Sequence, residues 1–388
     1  MNANSSRDAI YLDHCATSRC SPEVVDIVRF YMEREFGNPA SAYAMGRRAQ
    51  HAVETAARQV ALLIGARADE IVFTSGATEA NNIALFSSFE HDERAPAGAL
   101  LCPIDHKSVL SVGRELRRRG LAVDTLRVTS SGRVQPSEVE ARLSADTRIV
   151  SIGHVNSELG TIQPVDEIAS ITRRSGAWLH IDAVQSAGKI GLNVKETGIG
   201  MLSISAHKIQ GPKGIGALFV DTRVASKLRP FIYGGGQSRL RSGTLPTPLI
   251  AGFGLACEMA QSSLAQRHTR VVTLRNYFIE RLFQRVSDAV LNTDLSCSSP
   301  YVVNVRFEGI ASEALVSGMH QVAISSGSAC NSAELLPSPV LTAIGLSGEQ
   351  ARASVRFCFA HDLDEATLDT ALEHLVHKIN ALRQGPRR

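Results

Sequence analysis

The sequence predicts an α/β protein: a large unit on a mostly parallel sheet flanked by helices, joined to a smaller α+β unit. Three observations carry this expectation. Short apolar runs alternate with stretches of helical spacing from Ile71 to Val220, the pattern of parallel strands joined by helical crossovers. His106, Asn156, Asp182, Gln185 and Lys208 each fall just after a predicted strand, where open α/β sheets bind their ligands. After Val220 the chain changes to a glycine-rich basic loop, two helices, and then mixed strands and helices.

Residues 1–9 read as loose, and Ile10 to Asp13 as a short strand entering the turn-rich DHCATSRC. Pro22 to Glu35 has apolar positions at helical spacing, with proline near the helix start. Phe36 to Tyr43 is a loop by its Gly, Asn and Pro, and Arg47 to Ile64 is an amphipathic helix ended by Gly65. Ile71 to Phe73 is a strand. Thr74-Ser75-Gly76-Ala77-Thr78-Glu79 follows it directly and opens a helix from about Ala80. A small-residue loop feeding a helix start aims free amides and the helix dipole at one place, a ready anion site to which Thr78 adds a hydroxyl. The stretch is neither a Walker loop nor a GxGxxG fingerprint, so the expected anion is a single small phosphate and not a nucleotide. A plain Ser or Thr helix cap would use the same letters.

The alternation continues with Gly98 to Cys102 as a strand, then DHKSVL with His106 just before the helix Val109 to Arg119. Leu121 to Val128 is a strand, Pro136 to Leu143 a helix, Arg148 to His154 a strand, Val165 to Ser175 a helix, and Trp178 to Ile181 a buried strand. His106 and Asn156 could each be simple turn residues. Asp182 could cap the next segment, although an acid ending a buried run calls for a specific partner, because an unpaired buried carboxylate is costly.

Met201 to Val220, MLSISAHKIQGPKGIGALFV, is the central stretch. Two apolar runs read as buried strands, with Gly211, Pro212 and Gly214 as the tight connection between them. Lys208 then stands at a strand end with Ser205 and His207 beside it. A lysine so placed can be desolvated toward neutrality and form a Schiff base with a carbonyl, or it can be a surface lysine in a hairpin. Lys213, inside the turn, is the one expected to face solvent.

Beyond Val220, Tyr233 to Gln237 and Arg241 to Pro246 form the glycine-rich loops. Leu249 to Leu264 and Arg270 to Val286 are helices, the second leading out of the large unit. Tyr301 to Phe307, Val322 to Ser325 and Ser354 to Phe359 are strands, and Ser312 to Met319 and Leu363 to Leu382 are helices. The GPRR stretch reads as a frayed tail.

At 388 residues the chain has room for a large and a small unit, and 44% hydrophobic with 20% charged residues is ordinary for a globular protein. A net charge of +3 is too small to argue for a nucleic-acid surface, and no apolar run is long enough to span a membrane. MNANSSRDAI lacks the apolar core of a signal peptide, so the expected location is cytoplasmic. Seven scattered cysteines without a CxxC pair argue against a disulfide framework and against structural zinc. Cys330 is either an inert buried thiol or, on the small-residue loop SSGSAC, an accessible and mobile one.

Taken together, TSGATEANN, HVNSELG, HIDAVQSAGKI, SAHKIQGPKGIG, RSGT and SGSAC resemble the cysteine desulfurases of the NifS/IscS type, fold-type I pyridoxal-phosphate enzymes. The six motifs run from about Tyr11 to His361 in the family's order; GATE or HIDA alone would be weak. The resemblance implies a large cofactor-binding domain at 15–257 and a small domain made of 1–14 and 258–388. The small domain would carry the mobile cysteine loop of the group that includes IscS. It implies that Lys208 holds pyridoxal 5'-phosphate and moves the substrate's Cα proton, and that Asp182 pairs with the ring nitrogen. His106 would lie against the ring, and Gln185 would bond the phenolic oxygen. Ala77 and Thr78 of the turn, with Ser205 and His207, would bind the phosphate. Thr244 would reach the phosphate of a neighbouring subunit, which makes a homodimer. Arg356, with Asn156, would hold the carboxylate of L-cysteine, and Cys330 would take its sulfur as a persulfide for a sulfur-acceptor protein, leaving alanine.

The chain departs from the family at His14-Cys15, where Asn-Ala-Ala-Thr is usual, so a second thiol could lie near the substrate. It departs again at Gln237-Ser238-Arg239 and in its GPRR ending, which differs from the tail by which IscS proteins meet their scaffold. These departures point from a housekeeping role toward a dedicated supplier such as the DNA-modification type, DndA, with iron–sulfur assembly and tRNA thiolation as the other destinations. The competing expectations are another fold-type I enzyme (selenocysteine lyase, aminotransferase or kynureninase-like hydrolase) and a catalytically idle scaffold.

Overall fold

The computed structural model of the chain describes residues 9–89, 98–236, 238–326 and 337–384. Cys330, Gln237, the first eight residues and Gly385 to Arg388 lie outside the described residues. In chain order the first half runs β1 (Ile10–Tyr11), α1 (Pro22–Glu33), α2 (Ala44–Ile64), β2 (Ile71–Thr74), α3 (Ala77–Phe86), β3 (Gly98–Leu101), α4 (Lys107–Arg118), β4 (Ala122–Thr125), α5 (Pro136–Arg142), β5 (Thr147–Gly153), α6 (Val165–Ser175), β6 (Trp178–Asp182), α7 (Val194–Thr197), β7 (Met201–Ser205) and β8 (Gly216–Val220). Then come α8 (Thr222–Ala225), α9 (Thr247–Ser262), α10 (Leu264–Arg285), β9 (Val290–Leu291), β10 (Val302–Arg306), α11 (Ser312–Ser317), β11 (Val322–Ala323), α12 (Pro339–Ala343), α13 (Gly348–Arg352), β12 (Ser354–Cys358) and α14 (Glu365–Gln384).

Local chemistry explains the boundaries. Ser21 caps α1 by accepting from the Val24 amide, and Pro22 starts the helix where no amide partner is needed. Gly65, at φ 71°, ends α2 in the left-handed region that glycine enters without strain. The predicted strand Leu121 to Val128 shrinks to β4, because β4 is the sheet's edge and pairs only with β3. Most of its side chains are exposed, and beyond Thr125 the Leu126 amide still donates to the Leu101 carbonyl at 2.9 Å.

Seven strands form the main sheet in the order β2-β8-β7-β6-β5-β3-β4. Neighbours run parallel except at β8, which is antiparallel to both β2 and β7. β8 reverses because the connection from β7 is a tight loop with no helical crossover. Gly216 is needed there: a Cβ would come 2.5 Å from the Ile204 carbonyl oxygen and 2.8 Å from Gly76 Cα. The β7–β8 loop and the start of α3 are thereby pressed together.

Successive residues of one strand feed different cores, as the two-residue period of a strand requires. Leu100, Leu202 and Phe219 face one apolar layer with α2, α6 and α9, whereas Ala99, Leu101, Met201 and Leu218 face another with α3 and α4. A further core joins α10, α14, β10 and β12 around Phe278, whose ring centre is 4.9 Å from that of Phe357. Leu12 and Cys15 belong to this further core, while Val340, Leu341 and Ala351 pack with the first. Segments distant in sequence therefore cross between the cores beside the carboxyl ends of β5, β6 and β7. Among the described residues, no helix is long and apolar enough to cross a membrane.

Candidate active site

A cavity of about 600 Å³ opens there, the size range of small-molecule sites. It is lined by Ala77, Thr78, His106, Asn156, Asp182, Gln185, Ser205, His207, Lys208 and Arg356. Thr244 does not line it and is exposed. Its loop is nevertheless pinned to the rim, since Arg241 Nε bonds Glu79 Oε1 at 2.8 Å.

Lys208 follows the end of β7 on a short 3-10 turn. Its Nζ donates to the carbonyls of Cys15 and Ala16, the latter at 2.7 Å. Burial, followed by the neighbouring charge of Lys189, brings its pKa down to about 8. An appreciable fraction of the amine is therefore neutral and nucleophilic near physiological pH. Lys213 is exposed.

Asp182 ends β6 and is buried; its Oδ1 accepts from the Val184 amide at 3.0 Å and its Oδ2 from Asn81 Nδ2 at 2.8 Å. Asn81 donates from the same nitrogen to Ser108 Oγ at 2.8 Å, and its Oδ1 has no partner among the described residues. His106 caps α4: its Nδ1 accepts from the Ser108 amide at 3.1 Å. A backbone amide can only donate, so Nδ1 is unprotonated and the neutral ring carries its proton on Nε2. Enclosure by the cavity walls lowers the His106 pKa against the pull of Asp182.

The phosphate-like corner is formed at the start of α3. Gly76 occupies the cap position with no side-chain cap, so the first amides of this helix keep their anion-binding character. His207 Nδ1 lies 3.0 Å from Thr17 Oγ1, and burial, then Lys208, brings its pKa down to about 4. Its ring is a neutral hydrogen-bonding group at physiological pH.

Gln185 and Asn156 are already engaged. Gln185 Nε2 donates to the Cys15 carbonyl at 2.9 Å, and its Oε1 accepts from Lys189 Nζ at 3.0 Å. Asn156 bonds the Ile104 carbonyl and the amides of Glu158 and Leu159, which shapes the turn after β5. The Ser157 carbonyl of that turn accepts from Arg356 Nη1 at 3.0 Å, and Arg356 Nη2 meets Asp13 Oδ1 at 2.6 Å. Arg356 is 5% exposed, and its Nε has no partner among the described residues.

Asn81, Asp13, Lys189 and the carbonyls of Cys15 and Ala16, which the sequence did not single out, are the groups that bond Asp182, Arg356, Gln185 and Lys208. Asn81 stands in the TSGATEANN motif and Lys189 in HIDAVQSAGKI, four residues after Gln185; the motif letters were the available signal. Nothing local marks a backbone carbonyl.

This is the fold of one broad class: residues 10–370 match the aminotransferase class-V family. Within that class the chain belongs to the cysteine desulfurases of the IscS/NifS family. It is 41% identical to a cysteine desulfurase IscS of Anaeromyxobacter sp. (strain Fw109-5), over 97% of this chain and 93% of that protein. A solved NifS-like protein superposes with a TM-score of 0.90 at 32% identity, over 96% of this chain and 100% of the other. DndA from Streptomyces lividans superposes with a TM-score of 0.76 at 38% identity, over 89% and 98%.

Proposed function

We propose that the chain is a pyridoxal-5'-phosphate-dependent cysteine desulfurase that converts L-cysteine to L-alanine and holds the sulfur as a persulfide on Cys330. The observation that carries this reading is one cavity joining a near-neutral lysine, a hydrogen-bonded carboxylate and an uncapped helix start. This donor set fits the cofactor: an amine for its aldehyde, a carboxylate for its ring nitrogen, and amides for its phosphate. Bound there, pyridoxal phosphate supplies an electron-accepting ring that weakens the bonds at the substrate's Cα.

The protein's own groups do the remainder. Lys208 holds the cofactor and moves the Cα proton. Asp182, oriented by Asn81, keeps the ring nitrogen protonated. His106 presents its Nε2 proton to the cavity, and Gln185 borders the same space. Ala77, Thr78, Ser205 and His207 hold the phosphate, with Thr244 reaching that of a neighbouring copy. Arg356 and the Asn156 turn bind the substrate carboxylate, for which a guanidinium fork is suited. The Cys330 thiolate attacks the substrate sulfur. One S–S bond forms, the substrate C–S bond breaks, and a proton returned to carbon leaves alanine.

The exposed apolar side chains of Val25, Phe30, Met32, Phe36 and Tyr43, together with exposed Thr244, support a homodimer, and the likeness to the bacterial IscS protein supports a cytoplasmic one. We read 15–257 as the large unit, and 1–14 with 258–388 as the small one, with Cys15 packing into the core of the small unit and Val340, Leu341 and Ala351 into that of the large one. The acceptor is a protein thiol serving iron–sulfur assembly, tRNA thiolation or DNA phosphorothioation. The likeness to DndA and the His14-Cys15 departure support the last of these.

The test follows alanine and sulfide together from protein given pyridoxal phosphate, L-cysteine and a reductant. Equal amounts from the wild type, lost in Cys330→Ala and in Lys208→Ala, are expected. Undiminished sulfide from Cys330→Ala would replace the persulfide route with a lyase reaction. Mercaptopyruvate in place of alanine and sulfide would point to an aminotransferase-type enzyme.

A further inference from the structure

Lys189 is a buried cation that the reaction proposed above does not use. It is 7% exposed, and its ammonium makes one hydrogen bond among the described residues, to Gln185 Oε1 at 3.0 Å. That partner is a neutral amide and not a carboxylate. The Tyr301 ring, whose centre is 5.6 Å from the Nζ, holds the charge in place without cancelling it. An uncancelled charge in such surroundings is costly and acts over several ångströms.

The chain after β6 sets the pair. The Ala187 amide bonds the Ala183 carbonyl and the Ile190 amide the Ser186 carbonyl, a helical turn that brings Gln185 and Lys189, four residues apart, to one side. An ammonium only donates and a carbonyl only accepts, so the Gln185 amide has one orientation. Its oxygen faces Lys189, and its nitrogen faces the Cys15 carbonyl at 2.9 Å. The same carbonyl accepts from Lys208 Nζ. The two amines therefore stand at the ends of one short chain, Lys189 to Gln185 to the Cys15 carbonyl to Lys208, joined by hydrogen bonds throughout.

We propose that Lys189 is a positioning residue for the reaction: its buried charge fixes the Gln185 amide in this orientation and opposes a second positive charge on Lys208. The inference rests on reading Lys208 as the amine that holds the cofactor and Gln185 as a donor to its phenolic oxygen. A Gln185 amide turned over would present an oxygen where that role needs an N–H. Like charges disfavour one another's charged form. After burial, Lys189 is the largest influence that lowers the Lys208 pKa. The other titratable groups about Lys208 are Cys15, Arg356, Cys358, His106 and His207, and Lys189 also faces His14.

The experiment reads the Lys208 amine directly. The full chain without cofactor is trace-labelled with acetic anhydride, which takes only the neutral amine, over a series of pH values, and labelling at Lys208 is followed by peptide mass. The wild-type midpoint is expected at about 8. In Lys189→Met it should be higher by about one pH unit, the order expected for two like charges separated by one amide. Lys189→Gln, which keeps a donor for Gln185 without the charge, should match Lys189→Met, and it decides the matter if the latter does not fold. Lys189→Arg should restore the wild-type midpoint. An unchanged midpoint in the neutral variants, or one raised equally in Lys189→Arg, would overturn the proposal. The readout needs neither cofactor nor turnover, so a chain that showed this dependence on Lys189 but released no alanine would fail only the desulfurase reading.

Discussion

The Asp13 carboxylate meets the Arg356 guanidinium at 2.6 Å, tying the turn after the first strand to the last strand of the chain. Arg356 is the buried cation proposed to receive the substrate carboxylate, and Asp13 is its only salt-bridge partner among the described residues.

Removing one partner of a buried pair leaves an uncompensated charge, at a cost of about 3–5 kcal/mol. Asp13→Ala should therefore lower the urea midpoint with an unchanged slope, and Asp13→Asn, which keeps an oxygen acceptor, should lower it less. Midpoints equal to the wild type in both would show that the pair carries no structural weight.

Asn81 orients Asp182 through a hydrogen bond to a charged acceptor, worth about 1.5–3 kcal/mol. Asn81→Ala should weaken pyridoxal phosphate binding by roughly tenfold or more, 1.4 kcal/mol being tenfold. Asn81→Asp, which sets a second carboxylate beside the first, should do worse. Equilibrium titration of the apoprotein by absorbance measures both, and unchanged affinity in Asn81→Asp would remove Asn81 from the site.

The Lys208 amine must be unprotonated to attack an aldehyde, and its pKa is about 8 where an ordinary lysine stands at 10.5. The second-order rate of pyridoxal phosphate capture by the apoprotein should rise about tenfold per pH unit below 8 and level above it. The sign follows from burial, which disfavours the cation. A profile still climbing past pH 9.5 would show an amine with the ordinary lysine value.

Much of the architecture was legible because its signals are local. The short apolar runs of β5 to β8, the Gly65 helix end and the small-residue loop before α3 are set by residues within a few positions of one another. The carboxyl-end rule then brought His106, Asn156, Asp182, Gln185 and Lys208 to one cavity without any knowledge of their contacts. The reversal of β8 against β7 was implicit in the tight Gly211-Pro212-Gly214 connection, whereas its pairing with β2 was hidden, since an apolar run does not name its neighbour. The early end of β4 depended on its having one neighbour in place of two.

The sequence by itself determined the α/β class, the strand-end placement of the reactive lysine and acid, and the motif set of the desulfurase family. Only the tertiary structure decided the pairings that tune them: Asn81 with Asp182, Asp13 with Arg356, and the carbonyls of Cys15 and Ala16 with Lys208. The reason is physical. Hydrophobic period and turn chemistry act over a few residues, whereas burial, charge and hydrogen bonding act between groups that meet only once distant segments pack around the same cavity.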